Sequence, residues 1–238
     1  MQQYKHLRSA FAMLILAAAT LLPSACKTDA YESGDGSLSY VRADFVEANT
    51  DAEKKVFSAQ TDDGLKLWLS PTLTAKWIST ADSTYRTLLY YNTADSIKTE
   101  ATVKPVAISQ VLAPKVSKPR VVGQVYPTDP LTFESSWKSR NGRYYNLGLS
   151  VKTGTSDGET SAQTIGILYR GSVVSASGLQ VHRLQLVHDQ NKVPEYYTTR
   201  VYVSVPLYGL PFTTSVGDSI EISMNTYDGT LTRSFAVE

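Results

Sequence analysis

The chain has 238 residues, of which 42% are hydrophobic and 10% aromatic, and its 23 basic and 22 acidic side chains leave a formal net charge of +1. So even a balance offers no broad electrostatic footprint for nucleic acid. A single cysteine excludes any disulfide within the chain, so stability rests on packing, and fifteen tyrosines among many Ser, Thr and Val favour strands over helices.

Taken in chain order, the first eight residues (MQQYKHLR) carry Lys5 and Arg8, and residues 11–22 (FAMLILAAATLL) form an uncharged apolar run. That run is shorter than the about 20 residues a helix needs to cross a bilayer. It fits the apolar region of a secretory signal, with the small residues Ser24 and Ala25 before the expected cut. The next residue is Cys26, the only cysteine. A signal ending directly before a cysteine resembles the bacterial lipoprotein signal, although Pro23 stands three residues before it and Leu22 one step further out. The resemblance implies that Cys26 is acylated, becomes the mature N-terminus and holds the protein to a membrane through lipid. The plainer alternative, an ordinary secretory signal, would leave a reactive free thiol outside the cell. Removing residues 1–25 takes away Lys5 and Arg8 and makes the remainder one charge negative. Lys27 follows the cysteine where an Asp would favour inner-membrane retention in enteric bacteria, so outer-membrane delivery is expected. Asp29, Glu32 and Asp35 resemble the acidic surface-export signal of Bacteroidetes lipoproteins; the periplasmic face is the alternative address.

Residues 26–38 read as a polar tether. From Ser39 the pattern changes to period two in SYVRADFVEA, the mark of a strand. Two short apolar segments flank Asp62-Asp63-Gly64, a strong hairpin signal. Residues 70–83 are less regular and predict a loop or one helical turn. STYRTLLYYNT and SIKTEATVKPVAISQVL add two strands, joined by a turn at 94–96. Five short strands over 39–112 predict a small OB-fold-like barrel. Residues 113–130 hold four prolines and predict an extended linker between two independent domains. Beyond it, seven strands beginning near 131, 143, 162, 179, 197, 217 and 230 are separated by turn signals such as Asn141-Gly142, Asp157-Gly158 and Asp228-Gly229. That spacing over 131–238 predicts a β-sandwich. The expected fold class is all-β, an N-terminal OB-fold-like barrel followed by a C-terminal β-sandwich.

A lipoprotein-type cysteine, YESGDGSLSYVRADFV, the hairpin TDDGLKLWL, a proline-rich joint and a second all-β half together resemble the NigD-like lipoproteins of the Bacteroidetes. The resemblance spans residues 26–238. It implies an OB-fold domain followed by a β-sandwich domain, and it brings no catalytic residues with it. The family's biochemical function is not established; its name, from a bacteriocin locus, hints at immunity.

Motifs that could carry chemistry read more simply as structure. GTSDG at 154–158 matches the G-x-S-x-G pattern around Ser156, but an elbow of that kind needs a helix behind the serine, and ETSAQTIGILYR reads as a turn and a strand. His182 and His188 share one expected strand about 20 Å apart, too far to hold one metal, and read as core-edge or surface residues. Asp62-Asp63 and Asp228-Gly229 read as turns, so no metal site and no cofactor are expected. Trp68, Trp77, Tyr85, Tyr90 and Tyr91 divide between core packing and a groove for peptide or glycan. The expectation is a non-enzymatic envelope lipoprotein that binds or scaffolds a protein, peptide or glycan, with ligand-binding residues unknown and no nucleic acid expected. A bacteriocin-related immunity factor is the alternative.

Overall fold

The computed structural model of the chain describes residues 41–92, 99–121, 123–156 and 161–238. The signal, Cys26, the tether, the turn at 94–96 and the Asp157-Gly158 turn lie outside the described residues. No helix occurs among the described residues, which fold as an all-β body.

The first five strands are β1 (Val41–Thr50), β2 (Val56–Thr61), β3 (Lys66–Leu73), β4 (Thr84–Asn92) and β5 (Glu100–Gln110). They close a barrel in the order β1-β2-β3-β5-β4. β3 and β5 run parallel and the other neighbours antiparallel, the arrangement expected of an OB-fold-like barrel. Period-two alternation sets which side chains fill it. Val46 and Ala48 from β1, Leu67 and Leu69 from β3, and Leu89 and Tyr91 from β4 point inward and are buried. Full burial of a side chain of Leu size contributes about 2 kcal/mol. The Asp62-Asp63-Gly64 hairpin is present, with Gly64 at φ 83° and the bond from Gly64 N to Thr61 O at 2.9 Å. A side chain at that φ would be strained, which is why a glycine ends the turn. Residues 70–73, read from the sequence as irregular, continue β3, and the loop begins only after Leu73. Val56 pairs with Leu73 across a register shift, so a bulge lets β3 carry on past its regular ladder.

The second half contains β6 (Val116–Ser117), β7 (Thr132–Lys138), β8 (Tyr144–Thr153), β9 (Thr164–Val174), β10 (Gln180–Asp189), β11 (Tyr197–Pro206), β12 (Ser219–Thr226) and β13 (Gly229–Ala236). A five-stranded sheet, β13-β12-β10-β9-β6, and a three-stranded sheet, β11-β8-β7, share one core. Leu147, Leu149, Ile167, Leu184, Leu186, Val203, Ile220 and Ile222 fill it. The seven strands expected here are all present; the eighth, β6, falls in the segment expected to be only a linker. Val116–Ser117 pairs in parallel with Ile167–Leu168, and Thr128 bridges His188. The proline-rich segment is therefore pinned to the sandwich at both ends, with its exposed stretch between.

β8 explains how the halves meet. Its residues are buried on both faces over Tyr144–Val151. Tyr145, Leu147, Leu149 and Val151 enter the sandwich core. On the alternate face, Tyr144 and Asn146 meet Glu47 of β1 and Arg86 of β4, while Phe45 of β1 packs on Trp137 and Tyr202 from the strands on either side.

Candidate functional site

The seam between barrel and sandwich is built around Arg86, whose side chain is 1% exposed. In β4 it points out of the barrel, opposite to Thr87, so the alternation that fills the barrel core also aims this guanidinium at β8 and β11. It donates to both oxygens of Asp62 at 2.7 and 2.8 Å, to Ser204 Oγ at 3.1 Å and to Asn146 Oδ1 at 3.3 Å. The forked pair is the strong form of a guanidinium–carboxylate contact. Ser204 Oγ donates to Asn146 Oδ1 at 2.6 Å, while Asn146 Nδ2 is buried with no partner among the described residues. The guanidinium also lies 4.1 Å from the centre of the Tyr144 ring.

A second cluster closes the same seam. Glu47 of β1 accepts from Tyr144 Oη at 2.7 Å and from Arg143 at 3.0 and 3.2 Å. Tyr144 Oη also lies 3.0 Å from Tyr208 Oη. Burial, the Tyr208 hydroxyl and the Glu47 carboxylate all push the Tyr144 phenol upward, so it stays neutral. Phe45 meets Trp137 at 5.4 Å and Tyr202 at 5.2 Å between ring centres, both edge to face. Charge, hydrogen bonds and rings thus join barrel and sandwich across the seam.

Two clefts flank this seam. One, of about 280 Å³, runs between Asp44, Asp62 and Asp63 of the barrel and Trp137, Lys138 and Arg140 of the sandwich. Its charges are engaged: Asp62 with Arg86, Asp63 with Arg140 at 3.3 Å, Asp44 with Tyr91 Oη at 2.6 Å and Lys138 with Glu238 at 2.9 Å. The other is a groove of about 450 Å³ lined by Leu88, Tyr90, Ser109, Gln110, Leu112, Arg200, Val201 and Tyr202. Its volume falls within the range of ligand sites, and its walls mix apolar and polar side chains. Tyr90 and Tyr202 are half-buried, and Arg200 is already paired with Glu134 at 2.5 Å.

The residues singled out in the sequence scatter. Tyr90 alone among the five aromatics lines the larger groove. Tyr91 is in the barrel core, and Trp77 packs beside it with Tyr85. Trp68 lies on the barrel's outer surface with Phe57, Lys66 and Glu100 around it. Tyr85 Oη accepts from the backbone N–H of Thr80 at 2.7 Å and of Ser79 at 3.1 Å, and hydrogen bonding with Thr80 and Ser79, through side chain first and backbone second, lowers its pKa from 10.0 to about 8.

Ser156 is exposed just beyond β8, and β9 follows at Thr164 with no helix among the described residues. The two histidines are not at the core edge or surface, as expected, but buried at 3% and 1% exposure. The reason is packing at both ends of β10: Phe212 stacks on His182 at 4.3 Å, and the 127–129 segment covers His188. His188 Nδ1 lies 3.0 Å from the Asp129 carbonyl and Nε2 2.9 Å from Gln163 Oε1.

His182 brings together a grouping invisible in the sequence: Nδ1 is 2.7 Å from Ser172 Oγ and Nε2 is 3.4 Å from Asp218 Oδ2. Its order is reversed relative to a serine-hydrolase triad, where the serine meets Nε2. Asp218 also accepts from Ser215 N at 2.8 Å and Gln180 N at 2.9 Å, and these bonds hold its carboxyl below the usual range. The carboxylate ties a loop to two strands, which is structural work. Among the described residues, no group of three or more His, Cys, Asp or Glu is placed to hold a metal.

The sequence matches no family model, and no curated protein matches it. Solved structures do. The chain is similar to a NigD-like immunity protein from Bacteroides caccae, with TM-score 0.59 and 20% identity over 83% of this chain and 97% of that one. It is similar to a protein from Parabacteroides distasonis described as toxin-related, with TM-score 0.58 and 18% identity over 83% and 93% of the two chains. A protein from Bacteroides fragilis, named provisionally as a lipoprotein, gives TM-score 0.58 and 12% identity over 83% and 97%. At these identities the likeness establishes a shared fold, and it is the fold of the group that the sequence resembles.

Proposed function

We propose that this chain is a non-catalytic lipoprotein of the NigD-like kind, anchored in the outer membrane through Cys26, that binds or scaffolds a protein, peptide or glycan at the cell envelope. The observation that carries the binding reading is the groove beside the seam, about 450 Å³, with Leu88, Tyr90, Leu112 and Tyr202 in its walls. The Arg86 and Glu47 clusters hold its two sides in register, so a ligand meets a preformed surface and little ordering cost. No enzyme is named among the three similar structures, and the Ser172–His182–Asp218 grouping ties strands together.

The full-length chain, solubilised in detergent, is applied to glycan and peptide arrays beside a Tyr90→Ser variant. The expected result is capture on one array that drops about tenfold in the variant, the loss typical of an aromatic anchor. Silence on both arrays, or equal capture by both proteins, would end the binding reading.

Immunity is the second reading, favoured by the name of the Bacteroides caccae protein with the same fold. A toxin or exporter gene beside this one would support it, and glycan-uptake or fimbrial genes would favour the binding accessory.

A further inference from the structure

The groove lies along the open edge of β11. That strand pairs with β8 over ten consecutive positions without a register shift and stands at the end of its sheet. Its outer edge is straight and regular, with no bulge of the kind that breaks β7 at Phe133/Ser135. Proteins blunt such edges because a row of open peptide groups invites another strand.

Part of this edge already receives one. Leu112 N donates to Tyr202 O at 3.0 Å, and Ser204 N donates to Leu112 O at 2.8 Å, a parallel bridge onto Val203. The peptide groups of Tyr202 and Ser204 therefore face outward, and the period of two turns those of Arg200 and Thr198 outward as well. Among the described residues no backbone group meets them. The segment that supplies Leu112 comes out of β5, which diverges toward the barrel, where Gln110 pairs with Thr87. The groove is the wedge between β5 and β11, closed at its apex by Leu112.

Resting on the reading of this groove as the binding surface, we propose that it takes an extended peptide segment of another protein, added as a strand to the edge of β11, with apolar side chains at alternate positions. The chemistry favours peptide over glycan. The unmet groups are backbone donors and acceptors in a row, which a strand satisfies and a sugar does not. The walls offer Leu88, Tyr90 and Tyr202 to every second side chain, and Arg200 is occupied by Glu134. The occupant continues an existing pairing, the one that Leu112 makes.

The test uses the full-length chain in detergent and an array of heptapeptides with Val, Leu or Tyr at alternate positions and Thr between them. Alternating peptides are expected to bind, and scrambled ones not. Arg200→Pro removes one outward N–H while leaving the ladder to β8 intact, so it should bind about tenfold more weakly than Arg200→Ala, which loses the same side chain but keeps that N–H. N-methylating alternate amides of the best peptide should abolish binding, and this holds even if Arg200→Pro does not fold. Equal binding by Arg200→Pro, insensitivity to N-methylation or a silent peptide array would each overturn strand addition. Glycan capture lost in Tyr90→Ser beside a silent peptide array would overturn it while leaving the groove as a binding surface. A dimer in size exclusion that Arg200→Pro dissociates would show that the edge belongs to a second copy, and would also overturn it.

Discussion

Arg86 concentrates what single residues decide here. It is one polar position in an alternating strand, yet its buried guanidinium carries a forked ion pair, two further hydrogen bonds and a ring contact. Arg86→Ala leaves the Asp62 carboxylate and Ser204 short of partners inside the seam and should cost about 3–5 kcal/mol of stability in denaturant unfolding. Removing the carboxylate as well, in Arg86→Ala with Asp62→Ala, should return part of that loss, because the penalty comes from the stranded charge. A cost below about 1 kcal/mol for the single variant would show the pair to be surface-like. Tyr85 gives a pH signature. Its phenolate is favoured by hydrogen bonding with Thr80 and Ser79, side chain first and backbone second, which lowers its pKa from 10.0 to about 8. A lowered acid stabilises the folded state fully above its unfolded value and loses that contribution as pH falls through the folded one. Ultraviolet titration should therefore show one tyrosine ionising near pH 8, absent in Tyr85→Phe; a wild type with no such step would remove the assignment.

At the scale of elements, the strands were legible because burial on one side imposes a period of two. The hairpin at Asp62-Asp63-Gly64 and the turn at Asn141-Gly142 were legible because positive φ selects glycine. β6 was not, since two residues among prolines carry no periodicity, and its pairing with β9 lies some fifty positions along the chain. Nor was the seam: the partners of Arg86 are 24, 60 and 118 residues away, and in β4 it looks like any outward polar residue. Of the candidate groove only Tyr90 was marked beforehand, because Leu112, Tyr202 and the β11 edge acquire meaning from the docking of the two halves. Burial of both histidines likewise depends on Phe212 and the 127–129 segment covering β10. The pinned linker makes its own prediction. Between Ser117 and Gln124 the described residues are mostly exposed, and Arg120 offers trypsin a site that Lys118, followed by Pro119, does not. Native trypsin should cut first after Arg120. The two pieces should then elute together, because the seam holds them without the covalent joint. Separation of the fragments under native conditions would sink the seam as a docking interface.

For the whole molecule, barrel and sandwich act as one body, and the sequence ahead of them reads as its attachment. Residues 11–22 are apolar, Ser24 and Ala25 precede Cys26, and residues 27–38 are polar with two glycines. A lone cysteine at that junction serves an anchor better than a fold that has no disulfide to make. Each buried CH₂ of an acyl chain contributes about 0.8 kcal/mol, so one chain binds a membrane only weakly and several hold firmly. The same arithmetic sets the experiment. In detergent phase separation of cells expressing the chain, wild type should enter the detergent phase and Cys26→Ser the aqueous phase, with both proteins equally folded. The near-neutral charge of the chain offers little other attraction to an anionic surface, so the partition reports the lipid. A wild type found in the aqueous phase would mean that Cys26 carries no lipid, and the chain would then be a secreted protein with a free thiol.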